Sequence, residues 1–272
     1  NHLDLWIRQG IPAYHTVLPH ISGCDVSGIV ERVGEGVHGM TAGDRVILAP
    51  GLSCGRCDRC RAGQDNLCVS YGIRGASTDG GYAELCCARA ADVIPIPKGL
   101  SFEHAAAFPL VFLTAWHMLN TISTTRPGDI VLVHAIGGGV GLYLTQFAVA
   151  AGARVIGTIG SAGKEARPLS CGAELVVNRA ETDFVAAIAD HVGPRGVDKM
   201  LDSTGASILD RSFGLMRNLG HVISYGEAEG KPLPNLWEQL VRLIDDQMES
   251  SRRWACHDAS MLLIKMLCDK NR

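Results

Sequence analysis

Strong charge of either sign is missing from this sequence. Its 272 residues carry 25 lysines and arginines against 28 aspartates and glutamates, a net charge of −3. That balance gives no electrostatic reason to expect nucleic acid or an anionic membrane as a partner. A basic segment followed by an apolar run is missing from Asn1 to Gly10, so no secretory signal is read there. Internal repeats and low-complexity tracts are absent as well, which excludes solenoid architectures. The first residue is not methionine and lies inside a patterned segment, so the chain is expected to be a fragment of a longer protein. Cysteine is plentiful by contrast: of ten, four are clustered at metal-like spacing and six are scattered. This distribution points to a reducing cytoplasm rather than a disulfide framework. With 47% hydrophobic and 19% charged residues, a soluble globular protein of two domains is expected.

Charge is missing again between Asp129 and Arg154, and this stretch organises the chain. Ile130 to His134 is apolar apart from the histidine and reads as a fully buried strand. A tight turn holding Gly137, Gly138, Gly139 and Gly141 follows, and from Val140 the pattern is helical until Gly152. Strand, glycine turn and helix aim backbone N–H groups at a phosphate, and bare backbone lets a pyrophosphate come close. The strict G-x-G-x-x-G spacing is lacking; Ala135, Gly138 and Gly141 give A-x-x-G-x-x-G instead. A membrane span fits by length, but five glycines with His134, Thr145 and Gln146 argue against it. A buried strand–helix unit without a ligand shares the pattern, and the glycine density favours the dinucleotide.

Residues 1 to 100 read as short strands between turns. Strands are expected at Ile29–Val33, Arg45–Leu48 and Tyr82–Cys86, with Val93–Pro97 as an edge. Ser101 caps a short helix, and Ala105–Trp116 reads as part of an inter-domain helix pair. Strands then alternate with helices: strands at 130–134, 154–158, 175–177, 197–202 and 221–225, and helices near 140–151, 162–170, 182–192 and 207–218. That alternation predicts a doubly wound parallel sheet with ligands at the carboxyl ends of its strands. Beyond Gly230 the period is lost. Leu236–Ile244 reads as a helix and Met261–Leu267 as a short packed apolar run.

Cys54, Cys57, Cys60 and Cys68 share one loop. Thiolates at two-residue gaps with a fourth nearby close a tetrahedron around Zn²⁺, and soft sulfur favours zinc or an iron–sulfur centre over hard cations. With no open position such a site braces a loop and does no chemistry.

On these residues the chain resembles the medium-chain dehydrogenase/reductase superfamily of zinc alcohol dehydrogenases and quinone (enone) reductases. The resemblance rests on the four-cysteine lobe, Gly43-Asp-Arg-Val46, Gly80-Gly-Tyr-Ala-Glu84, Thr114-Ala-Trp116 and the Ala135–Gly141 turn. It implies an α/β architecture: a Rossmann-type doubly wound parallel sheet over residues 108–235 beside a partial, β-rich GroES-like barrel over 1–107. Residues 236–272 are expected to be a divergent or truncated tail.

Members with a catalytic zinc present a cysteine, a histidine within Gly-His-Glu, and a third cysteine or aspartate. Here Asn1 stands at the first position, Gly23-Cys24-Asp25 replaces Gly-His-Glu, and the third ligand has no counterpart in Pro109–Thr114. Cys24, with His2 or Asp25, is the remaining candidate. Asn1 and Asp4 match the Asn-x-x-Asp/Glu of zinc-free quinone and enone reductases. Such substrates spread incoming charge onto their own oxygen, so positioning and hydrogen-bond donors suffice, whereas a plain alcohol needs the metal.

The expected second strand of the sheet ends in Thr158-Ile-Gly160-Ser161 with no acid before Glu165. An NAD-specific site would place a carboxylate there. Ser161, Lys164 and Arg179 are instead expected to meet a 2′-phosphate, so NADP(H) is expected ahead of NAD(H), together with one structural Zn²⁺. Gly138, Gly139, Val140 and Gly141 would hold the pyrophosphate. Thr114, Tyr225 and Gly226 would line the nicotinamide. Asn1 and Asp4 would be substrate-side polar groups, with a quinone, α,β-unsaturated carbonyl or alcohol as substrate. Two rival readings stand beside this one: an alcohol dehydrogenase with an atypical catalytic zinc, and a cofactor-binding fragment without turnover. Intact relatives suggest a dimer or tetramer.

Overall fold

A computed structural model describes residues 1–10, 16–230 and, for the backbone alone, 263–265. The predicted helix at 236–244 and most of the predicted tail lie outside the described residues. The chain divides into two compact units, with the break between Leu113 and Thr114.

In the first unit, α1 (His2–Arg8) opens the chain where short strands were predicted. Leu3 and Ile7, one helical turn apart, pack with Cys24 and Ala76 in a small core. The strands β1 (Ser27–Ile29), β2 (Arg45–Leu48) and β5 (Val93–Pro95) form an antiparallel sheet in the order β1–β2–β5. The predicted strand at 29–33 stops at Ile29; beyond it Val30 exchanges backbone hydrogen bonds with Asp44 and Gly43. A two-stranded ribbon, β3 (Gly51–Leu52) with β4 (Gly72–Ile73), flanks the cysteine loop and its short helix α2 (Asp58–Arg61). The predicted strand at 82–86 does not form. The Gly80, Gly81 and Tyr82 amides are spent on the carbonyls of Ile21, Gly23 and Ser22, and the residues after Tyr82 pair with no strand among the described residues. Ser101 accepts the His104 amide at 3.3 Å and caps α3 (Phe102–Ala107), which leads into α4 (Pro109–Trp116) and a π-helical turn at His117–Ile122. Phe102–Ile122 is long and apolar enough to cross a membrane. It is broken into these three pieces, however, and Ala115, Met118 and Leu119 are buried in the core of the second unit.

The second unit is a six-stranded sheet. Its strands are β6 (Ile130–His134), β7 (Arg154–Ile159), β8 (Leu175–Asn178), β9 (Val197–Asp202), β10 (Met216–Ser224) and β11 (Leu263–Lys265). They run in the order β11–β10–β9–β6–β7–β8, every pair parallel. This is the dinucleotide-binding arrangement, with its switch point between β6 and β9. Alternation along β6 supplies both faces. Val131 and Val133 join the core beneath α5 (Gly139–Ala150), whereas Ile130 and Leu132 join the core of α7 (Phe184–Val192) and α8 (Ala206–Ser212).

Three predicted helices are shorter than their patterns. α6 is only Ala166–Ser170, because Gly163 turns to φ +85° ahead of it. α7 starts at Phe184, since the Asp183 carboxylate accepts the Val185 amide and caps it. α8 ends at Ser212, and Met216–Asn218, predicted helical, already belong to β10. Register shifts between Met216 and His221, and Leu219 takes φ 62° there, so β10 begins five residues before the predicted 221.

The junction of β6 with α5 is set by close approach. A Cβ on Gly141 would lie 2.6 Å from the Ile136 carbonyl oxygen and 2.7 Å from that of Ala135. Replacing Gly141 by valine forces the helix away from the strand, at a cost of about 1–3 kcal/mol. A lowered thermal midpoint is the expected reading, and an unchanged one would mean that the turn widens without strain.

Candidate nucleotide site and metal centre

Ala135 leaves β6 at φ 54°, and its carbonyl accepts the Gly138 amide at 2.9 Å. Gly138 is the N-cap residue of α5 and offers no side-chain cap. The first-turn amides of Gly139, Val140 and Gly141 therefore have no intrahelical acceptor and face outward with the positive end of the helix dipole. Such a helix end favours an anion. Lys164 packs beside this turn: a Cβ on Gly137 would meet its Cβ at 3.0 Å.

The carboxyl end of β7 lies next to it. Gly160 and Ser161 are exposed, and the Arg179 amide donates to the Ile159 carbonyl at 2.9 Å. This folds the guanidinium back over the strand end. Its Nη1 donates to Thr158 Oγ1 at 3.0 Å and to Thr204 Oγ1 at 3.4 Å, while Nη2 stands 3.2 Å from where a Cβ on Gly160 would be. Among the described residues no protein acceptor takes Nη2 or Nε. Partial burial lowers the Arg179 pKa, and the charges of Asp202 and Glu229 raise it again.

Asp202 ends β9 fully buried and accepts the Thr204 and Gly205 amides at 3.1 and 2.9 Å. Burial raises its pKa to about 6 against those hydrogen bonds. Tyr225 follows β10, its amide on the Asp202 carbonyl at 2.8 Å, and desolvation pushes its phenol up to about 12. Gly226 leaves room for Ser203, whose Cβ would stand 3.2 Å from an added methyl. Thr114 is half-buried in α4.

The four lobe cysteines offer sulfur atoms all within 4.8 Å of one another. Cys57 and Cys60 are 3.5 Å apart, and Cys54 and Cys60 are 3.9 Å apart. A tetrahedron of Zn–S bonds has edges of about 3.8 Å, so the set fits that ion. Backbone amides favour thiolates here, lowering Cys54 and bringing Cys57 to about 6, while desolvation raises Cys60 to about 12. Four thiols this close cannot all ionise unless a cation sits among them. Arg89 ties the loop to the sheet by bridging the Ser53 carbonyl and the Asp92 carboxylate.

In the first unit Asn1, Asp4, Cys24 and Asp25 come together. The Asn1 carboxamide donates to Cys24 Sγ at 3.3 Å and to Asp25 Oδ2. The Asp4 carboxylate is engaged, accepting the Gly23 amide at 3.1 Å and the Tyr82 hydroxyl at 3.0 Å. Burial lifts the Cys24 thiol to about 11 and raises Asp25 too, and Asp25 Oδ1 is buried without a hydrogen-bond partner. Among the described residues the four-cysteine lobe is the one group of three or more metal-ligating side chains close enough to share an ion. Sequence reasoning missed Thr158, Thr204, Asp202 and Tyr82. The signal for the first three was their place at the carboxyl ends of β7 and β9.

Comparisons with known proteins give the family and the fold. A family model described as the alcohol dehydrogenase GroES-like domain matches residues 1–98, and one described as zinc-binding dehydrogenase matches residues 139–258. The quinone oxidoreductase of Salmonella typhimurium is 33% identical over 230 residues, 85% of this chain and 62% of its own length. The crystal structure of an NAD-dependent alcohol dehydrogenase superposes with a TM-score of 0.79 at 40% identity, covering 92% of this chain and 78% of that one. The Escherichia coli quinone oxidoreductase, solved in complex with NADPH, superposes with a TM-score of 0.72 at 31% identity, covering 89% and 66%. The chain belongs to the medium-chain dehydrogenase/reductase superfamily. It spans about three-fifths, 62%, of the length of the first curated relatives it matches.

Because burial raises the Asp202 pKa above its unfolded value, the folded state prefers the protonated carboxyl. Its contribution to stability is fully present below about pH 4 and is lost as pH rises through about 6. Denaturant titrations of the parent and of Asp202→Asn across pH 4–8 should show that the parent loses ground to the variant over this window. A constant difference between the two would refute the shift.

Proposed function

We propose that this chain is the nucleotide-binding and partial catalytic portion of an NADP(H)-dependent reductase of quinones or α,β-unsaturated carbonyls, cytoplasmic and braced by one structural zinc ion. The carrying observation is the Arg179 guanidinium beside Gly160 at the end of β7, with Nη2 and Nε unspent, where an NAD-specific site would offer a carboxylate. Arg179, Ser161 and Lys164 take the 2′-phosphate. Ala135, Gly138, Gly139, Val140 and Gly141 carry the pyrophosphate, and Thr114, Tyr225 and Gly226 line the nicotinamide. The bound cofactor supplies hydride.

The protein's part is orientation. Asn1 offers its carboxamide on the substrate side, and Asp4 holds the Tyr82 hydroxyl and the Gly23 amide in place. An activated alkene or quinone carries the arriving charge on its own oxygen, so donors of this kind suffice. Cys54, Cys57, Cys60 and Cys68 hold the zinc, which fixes a loop and touches no substrate. Assembly into a dimer or tetramer belongs to the same proposal.

A second reading is favoured by one observation. The orphaned Asp25 Oδ1, next to Cys24 and Asn1, is an atom that a cation would satisfy, as in an alcohol dehydrogenase with an atypical catalytic zinc.

Two measurements test the reading. Fluorescence titration should give tighter binding of NADPH than of NADH, with consumption of NADPH on adding a simple quinone. Tighter NADH binding reverses the cofactor assignment, and binding without consumption leaves a cofactor-binding fragment. Metal analysis should give about one zinc per chain. About two would favour the alcohol dehydrogenase, with Cys24→Ala removing the second.

A further inference from the structure

A polar chain runs from the core of the second unit to Arg179, and the reading above does not use it. Ser212 Oγ donates to the Ile208 carbonyl at 2.6 Å. A hydroxyl has one proton, so the 3.0 Å contact between Ser212 Oγ and His134 Nε2 requires His134 to donate. His134 is fully buried and ends β6. Burial and the nearby Arg179 charge hold its pKa down to about 3, so the ring stays neutral. With Nε2 protonated, Nδ1 is an acceptor, and Thr158 Oγ1 at 2.8 Å donates to it. The lone pairs of Thr158 are thereby left to receive Arg179 Nη1 at 3.0 Å. Every proton in the chain is assigned, and none points at the guanidinium.

We infer that Thr158, oriented by His134, is a positioning residue that sets the preference for NADPH over NADH by presenting the Arg179 guanidinium to the 2′-phosphate. Arg179 is attached to the loop after β8, and its side chain has many rotamers. Thr158 and Thr204 are the protein groups that fix Nη1. Of these Thr158 is the closer and is fully buried, so its geometry is inherited from the sheet rather than from a loop. Fixing Nη1 turns Nη2 toward the side-chain-free space at Gly160. A bidentate guanidinium–phosphate contact depends on such orientation.

The inference rests on the NADP(H) reading, and the test separates the two. Dissociation constants for NADPH and NADH are measured on the full chain and on Thr158→Val, Thr158→Ser, Arg179→Ala and the Thr158→Val/Arg179→Ala pair. Thr158→Val keeps the side-chain shape and removes the hydroxyl. It should weaken NADPH roughly tenfold, the scale of one hydrogen bond to a charged group, and leave NADH unchanged. Thr158→Ser should restore the parent ratio. In the Arg179→Ala background Thr158→Val should have no further effect, because the group it positions is gone. Equal weakening of both cofactors, or additivity in the pair, would assign Thr158 a merely structural role and overturn the inference. If Arg179→Ala itself leaves the NADPH/NADH ratio unchanged, the cofactor reading falls. The ¹⁵N resonances of His134 give a check independent of binding: the Nε2–H tautomer is expected at neutral pH, and an Nδ1–H tautomer contradicts the proton assignment.

Discussion

The approach of the first turn of α5 to the carbonyls at the end of β6 is the contact on which the second unit depends. A single methyl at Gly141 would sit well inside van der Waals distance of two carbonyl oxygens, so the helix can begin where it does only because no side chain stands there. Three consequences follow from that start point. The α5 amides lie at the switch point of the sheet, where the strand order reverses. Leu144 and Ala148 reach the layer that covers Val131 and Val133. Lys164 and the end of β7 come alongside the turn, so groups from two strands converge where one helix begins.

Electrostatics at these strand ends follow from burial. His134 is driven neutral and Asp202 toward protonation by the same loss of solvent, and Arg179 keeps its charge among Thr158, Thr204, Asp202 and Glu229. Neutral acceptors can hold a guanidinium without consuming its charge. A carboxylate directly paired with it would leave less for a phosphate. In the first unit the problem is different: short strands and a loop have little core of their own, and four sulfur ligands bring together residues fourteen positions apart in sequence, Cys54 and Cys68.

Much of the second unit was legible because its determinants are local. β6 and β9 have the predicted bounds, since an apolar run between turn residues leaves little latitude. β10 was misread at its start because Met216 continues the apolar spacing of α8, and the bulge near Leu219 depends on pairing with β9 rather than on any residue type. The segment after Tyr82 carries strand composition, but the Gly80–Tyr82 amides that lead into it are committed to a loop at Ile21–Gly23, a contact nearly sixty residues away that no window can show. The site divides in the same way. Glycine turn and cysteine spacing are linear signals. The route from Ser212 through His134 and Thr158 to Arg179 joins a helix, two strands and a loop, and in the sequence it leaves only a lone histidine in an apolar strand.

The most direct test of a phosphate bridge seated on bare backbone is a map of ¹⁵N amide shifts as NADPH is added to the full chain. The Gly138, Gly139, Val140 and Gly141 amides are predicted to move furthest, together with Gly160 and the Arg179 side chain. Saturable binding that leaves those four amides in place while resonances elsewhere move would contradict the placement of the cofactor at its foundation.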